Sequence, residues 1–176
     1  MVKVRIRPRR SWGHAVKHAW ALIRGPLTTV YVHHSVTASA GPKASLKADE
    51  QTVKSLDTIA HGRGFNGISY NFACTQAGRA FAGRGWKHVG AHNDGENSTT
   101  YGIVAIGNFQ VYEPSPDLIR AIASVIVAGK RNGHIGRRVR IKGHRDSDST
   151  ACPGDKLYAK LWKIKRLVRQ EVMSSK

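Results

Sequence analysis

Thr28-Thr29-Val30-Tyr31-Val32-His33-His34 is a run of β-branched and aromatic residues that ends on two histidines, and that composition suits a buried strand. Far downstream, Arg138-Val139-Arg140-Ile141-Lys142 reads as another strand and runs into Gly143-His144-Arg145-Asp146-Ser147-Asp148-Ser149-Thr150-Ala151-Cys152-Pro153-Gly154. The loop carries an imidazole and a thiol eight positions apart and is too polar to be core. If the two strands are neighbours, histidine and cysteine meet beyond their ends. Two nitrogens and a sulfur make a set that zinc accepts while keeping its fourth tetrahedral position open for water. The residues alone leave rivals: His34 beside His33, and Asp146 and Asp148 within the loop.

Working outward, helices and strands alternate. Val53, Leu56 and Ala60 recur at helical spacing from about Asp49 to Ala60, with Gly62 as the stop. Ser115-Pro116 is a cap and first-turn pair, Ile119, Ile122 and Ile126 make one face, and Asn132-Gly133 ends the helix. The stripe Leu157, Leu161, Ile164 and Val168 predicts one helix over 155–172. Ile68–Cys74, Arg79–Ala82 and Tyr101–Ile106 are further strands, the first two joined by a hairpin turn at Gln76-Ala77-Gly78. This predicts an α/β fold, a mixed central β-sheet of about five to six strands flanked by helices. All 176 residues fit a single domain.

Composition narrows the chemistry. The formal charge is +18 with a pI near 10.6, which calls for a polyanionic partner. Two cysteines are too few for a disulfide framework, and Cys74, in an apolar run, reads as a buried thiol. Gly62-Arg63-Gly64-Phe65-Asn66-Gly67 matches a dinucleotide fingerprint in letters only: here a helix precedes and a strand follows, the reverse of what that motif needs. No apolar run reaches membrane-spanning length. The basic start lacks an apolar h-region and a small-residue cleavage site, so no signal peptide is expected.

Seven segments, in order, match one family. They are Arg10-Ser11-Trp12-Gly13, Val32-His33-His34-Ser35-Val36-Thr37, Gly67-Ile68-Ser69-Tyr70-Asn71-Phe72 and Gly83-Arg84-Gly85-Trp86. They continue with Val89-Gly90-Ala91-His92-Asn93, Gly102-Ile103-Val104-Ala105-Ile106-Gly107-Asn108-Phe109, and Gly143-His144-Arg145-Asp146 with Cys152-Pro153-Gly154-Asp155. The chain resembles the zinc-dependent N-acetylmuramoyl-L-alanine amidases of the type-2 family, shared by phage endolysins and animal peptidoglycan recognition proteins. The resemblance covers residues 10–161, leaving a basic head at 1–9 and a basic helix at 155–172.

The resemblance implies one Zn2+ held by His33, His144 and Cys152, with Tyr70 near the metal and Thr150 two residues before the last ligand. It implies cleavage of the amide between N-acetylmuramic acid and L-alanine of the stem peptide, by water whose pKa zinc lowers toward about 7. Tyr70 then donates to the oxyanion and Thr150 orients water or intermediate. No carboxylate of the sequence matches a general base. Gly64-Phe65 falls where recognition proteins read the third stem residue, and this hybrid pair inclines toward diaminopimelate. Arg84 and His92 are the other matched substrate contacts. A histidine common in the first helix of relatives is replaced near Ile59.

The expected protein is a monomeric phage-type endolysin in cell-wall lysis, kept in the host cytoplasm until released. Its partners are peptidoglycan and, through the basic patches, anionic envelope polymers or a membrane surface. A non-catalytic recognition module is the main alternative, and the intact Cys152 speaks against it because such relatives lose that ligand. Nucleic-acid binding by charge alone lacks any helix-turn-helix or aromatic-interleaved basic pattern.

Overall fold

The apolar strand that ends in His33 and His34 lies inside a sheet, paired on both edges. The computed structural model describes residues 5–13 and 19–173. In chain order it contains β1 (Ile6–Arg7), β2 (Leu27–His34), α1 (Leu46–Gly62), β3 (Phe72–Cys74), β4 (Ala80–Ala82) and β5 (Thr100–Ala105). Then come α2 (Pro116–Arg131), β6 (Ile135–Gly143), α3 (Asp155–Tyr158) and α4 (Leu161–Met173). The six strands form one sheet in the order β1-β4-β3-β5-β2-β6. Only β3 and β4 pair antiparallel, across the expected hairpin; β2 is parallel to both β5 and β6. The domain is a single α/β unit, a mixed sheet with helices on both faces.

The two long central helices begin where serine caps place them. Ser45 Oγ accepts from Ala48 N at α1, and Ser115 Oγ from Leu118 N at α2, satisfying N–H groups with no partner inside the helix. The α1 residues Val53 and Leu56 pack with Ala73, Phe81, Val104 and Ile106 on one face of the sheet. On the other face, Leu118, Ile122 and Ile126 of α2 meet Val30, Val32, Phe72 and Ile103, joined by Leu157, Leu161, Ile164 and Val168. A buried ion pair ties α1 to the hairpin: Asp49, 1% exposed, takes Thr75 Oγ1 at 2.7 Å and Arg79 Nη1 at 2.6 Å.

Four expectations need correction. The strand expected over Ile68–Cys74 is a strand only from Phe72, because side chains take its first backbone groups: Asp57 accepts Ile68 N and Arg84 Nε donates to Ile68 O. Its partner likewise begins at Ala80 rather than Arg79. The helix expected over 155–172 breaks between Tyr158 and Leu161. Its first turn is moored to the polar loop by Tyr158 Oη on Asp146 (2.6 Å) and Arg145 on Asp155 (2.7 Å), whereas α4 is set by packing on α2. The basic head, expected to carry no element of its own, adds an edge strand, with Ile6 and Arg7 parallel to β4. Residues 1–4 of that head lie outside the described residues.

Removing Asp49 leaves Arg79 with the Ala44 carbonyl but no carboxylate partner, and takes from α1 its polar tie to the hairpin. Asp49→Ala is expected to cost about 2–4 kcal/mol in urea unfolding. Asp117→Ala, at an exposed pair with Arg120, should stay within about 0.5 kcal/mol.

Candidate functional site

Parallel pairing of β2 with β6 puts Tyr31 beside Lys142 and Val32 beside Gly143, so His33 lies level with His144, just past the end of β6. Strand alternation then separates the two adjacent histidines. His33 rises on the face that carries α1. The His34 side chain turns to the other face, where its Nδ1 accepts Phe109 N at 3.3 Å; its backbone N–H, at the strand end, points at Cys152 Sγ, 3.4 Å away. A sharp turn follows immediately. Val36 adopts φ 57°, a left-handed conformation that costs a β-branched residue about 1–3 kcal/mol. It is held by Val36 N on Gly107 O (3.1 Å) and Gly107 N on Ser35 Oγ (2.9 Å).

The polar loop folds back on β2. His144 opens a short 3-10 turn, Arg145 N bonds Cys152 O at 2.9 Å, and Thr150 Oγ1 accepts Cys152 N at 3.2 Å. Gly154, at φ +86°, lies flat on the Phe109 backbone, where a Cβ would come within 2.3 Å of a carbonyl carbon. These contacts bring Cys152 Sγ to 3.7 Å from His33 Nδ1. Ligand atoms of His33, His144 and Cys152 all lie within 4.8 Å of one another, a cluster that could hold one metal ion. Of the rivals, Asp146 is spent capping Gly143 N and accepting Tyr158 Oη. Asp148 is exposed, one oxygen 3.6 Å from His144 Nε2.

The donor set suits a cation. Burial holds His33 and His144 below the usual imidazole range, helped at His33 by the neighbouring His92 and His144, so both offer lone pairs at neutral pH. His144 Nε2 is buried without a hydrogen-bond partner. Burial pushes the Cys152 thiol up to about 11, partly offset by the His34 N–H and Arg145. A divalent ion held by these three residues would reverse that balance and favour the thiolate of Cys152. Tyr70 stands at the rim, its ring centroid 5.3 Å from that of His33. Burial and Cys152 raise its phenol to about 12, against a smaller opposite pull from Arg63. It is therefore an O–H donor throughout the neutral range.

The other residues singled out in the sequence sit differently. His92 is 7% exposed, its Nδ1 3.2 Å from His33 Nε2. Arg84 is committed to the backbone: Nε donates to Ile68 O at 2.7 Å and Nη1 to Val89 O at 2.9 Å. Gly64, at φ +80°, and half-exposed Phe65 form the turn that leaves α1. Sequence reasoning missed Asn71, whose Oδ1 accepts Gly102 N and whose Nδ2 donates to Gly85 O and His88 O, fastening the His88–Asn93 loop beside the site. Its place in a matched segment was a signal, but nothing in its neighbours reveals the partners.

The model of the N-acetylmuramoyl-L-alanine amidase family matches residues 24–155. The chain belongs to the type-2 amidase family. Peptidoglycan recognition protein 1 of Bos indicus is 31% identical over 151 residues, covering 85% of this chain and 78% of that protein. The human N-acetylmuramoyl-L-alanine amidase is 31% identical over 156 residues, 87% of this chain but 27% of the human protein. Among solved structures, bumblebee PGRP-SA superposes with a TM-score of 0.85 at 28% identity, covering 90% and 93% of the two chains. Peptidoglycan recognition protein-LE in complex with tracheal cytotoxin, a monomeric diaminopimelic acid-type peptidoglycan, gives 0.83 at 31%, covering 90% and 92%. The family thus includes both recognition proteins and an amidase.

Histidines buried neutral make the site sensitive to acid. The unfolded chain takes up protons near 6.5 that folded His33, His92 and His144 refuse. Their contribution to stability is complete above that pH and is lost as pH falls below it. The share due to His92, whose folded value is about 3, is lost down to that point. Urea midpoints of the metal-free protein should fall steadily from about pH 7 to pH 4; a flat profile would contradict this electrostatic picture.

Proposed function

We propose that the protein is a zinc-dependent amidase that cuts between N-acetylmuramic acid and L-alanine of the peptidoglycan stem peptide. The observation that carries this reading is the convergence of His33, His144 and Cys152 with the Tyr70 phenol beside them. Zinc bound there supplies Lewis acidity and acidifies a water toward about 7. The chain supplies the rest. His33 and His144 stay neutral, and Cys152 contributes the single negative charge of the ligand set. Tyr70 holds its proton at the phenol oxygen and donates it as a hydrogen bond to the carbonyl oxygen as negative charge develops there. Thr150 Oγ1, by accepting Cys152 N, fixes the turn that presents the thiol.

The finer biological reading is a phage-type endolysin, held in the host cytoplasm until it is released to the wall. It rests on the sequence motifs, the retained cysteine and the charge. Among the described residues no helix is long and apolar enough to cross a membrane. We propose that adhesion comes from the basic surface. Arg137, Arg138 and Arg140 are exposed on β6, an edge strand, and α4 packs against β6 with Lys165, Arg166 and Arg169 outward. Trp162, 53% exposed, lies under Lys163 and Arg166. This face suits the phosphodiesters of an anionic envelope polymer.

Turbidity of wall sacculi should fall with the wild-type protein and stop falling on chelation; binding without cleavage would assign a recognition module instead. Cys152→Ser should lose both zinc and lysis. Tyr70→Phe should keep zinc yet lose about a hundredfold in turnover, the value of one oxyanion donor, and wild-type rates would remove Tyr70 from the chemistry. Reversing Arg138, Lys165 and Arg166 to Glu should weaken adhesion to sacculi about tenfold at low salt and little at about 0.5 M, where screening removes the attraction. Salt-independent adhesion would refute the basic-face proposal.

A further inference from the structure

His33 faces two ways. Its Nδ1 lies 3.7 Å from Cys152 Sγ, while Nε2 lies 3.2 Å from His92 Nδ1. A neutral imidazole that offers the Nδ1 lone pair to a cation carries its proton on Nε2. Nε2–H must then donate, and His92 Nδ1 must accept. That choice in turn puts the proton of His92 on its own Nε2.

The surrounding chain is built to hold His92 in that pose. Its ring lies against two glycines, and a Cβ on Gly90 or Gly102 would come within 2.4 Å of it. Asn97 Oδ1 accepts both His92 N (2.7 Å) and Asn93 N (2.9 Å), which clamps the loop. Asn93 Nδ2 donates to Ser147 Oγ at 3.0 Å, and Ser147 Oγ donates to His144 O at 3.1 Å. One loop therefore touches the segments that carry two of the three ligands. With 7% of its surface exposed and Nε2 buried, His92 turns neither ring nitrogen to the surface from which a substrate would approach.

We infer that His92 is a positioning residue for the metal centre, accepting the Nε2–H of His33 and so fixing the tautomer and ring plane that aim Nδ1 at the ion. The inference rests on the metal-site reading above. Partners of this kind are commonly carboxylates, carbonyls or water. An imidazole adds no negative charge, so His33 stays a weaker electron donor than a carboxylate-bonded histidine. Cys152 is then the only anionic ligand, and a metal on these three residues keeps a net positive charge.

The test compares zinc affinity by chelator competition in the wild type, His92→Ala and His92→Gln, with Co(II) absorption as a second readout. His92→Ala should bind zinc about 10–100-fold more weakly and shift the Co(II) bands. His92→Gln, whose side-chain oxygen can accept the same hydrogen bond, should recover most of the affinity. Equal affinity in wild type and His92→Ala, with only KM raised, would overturn the inference and make His92 a substrate contact. A wild type that binds no zinc would instead overturn the metal-site reading itself. Should His92→Ala not fold, nitrogen NMR of zinc-loaded wild type decides: Nε2 protonated on His33 and Nδ1 unprotonated on His92 are expected, and the reverse pattern refutes the assignment.

Discussion

Parallel pairing of β2 with β6 is the constraint from which the site follows. It brings two strands separated by about a hundred residues of chain into register, so that the end of one presents His33 where the other releases the His144–Cys152 loop. A slip of one residue along β2 would exchange His33 for His34 and turn the imidazole to the opposite face. That register is secured away from the site. Val30 and Val32 are fully buried against α2, so the slipped alternative would drive polar groups into the core. Packing energy spent on one face of the sheet thereby sets the ligand geometry on the other.

Charge is distributed with the same economy. In a chain of net charge +18, the acid that approaches the His33, His144 and Cys152 cluster among the described residues is Asp148, and it is exposed. Several of its few acids are used as internal ties: Asp49 to Arg79, Asp57 to Arg9 and Ile68 N, Asp146 to Gly143 N and Tyr158, Asp155 to Arg145. What remains outside is almost unbroken cation on β6 and α4. The site is neutral and buried, whereas the surface is basic and wet. On the proposed reading, the basic surface draws an anionic wall by long-range field while the chemistry proceeds among uncharged imidazoles.

Much of this was legible in the residues. The capped helix from Ser115 to Asn132 was readable to the residue, because serine, proline and asparagine report backbone geometry locally. The hairpin was readable from its turn, and the candidate ligand set from a resemblance spread over seven segments. The errors share one cause. Ile68–Asn71 has strand composition, but its backbone is bonded to Asp57, Arg84 and neighbouring loops, partners distant in sequence. The tail stripe is continuous, and all four of its apolar residues are buried, yet the helix breaks because its two ends have different anchors. Ile6–Arg7 is too short and too basic to announce itself as a strand.

The sequence by itself determined the alternation of elements, the polarity of the final loop and the identity of the atoms that could grip a cation. Those properties are local, carried by propensity, periodicity and side-chain chemistry. Only the tertiary structure decided which acids are already occupied, and that His92 lies behind His33 with two glycines cleared around its ring. Those outcomes depend on strand register and on hydrogen bonds between residues tens of positions apart. No local pattern records a partner that only folding brings within reach.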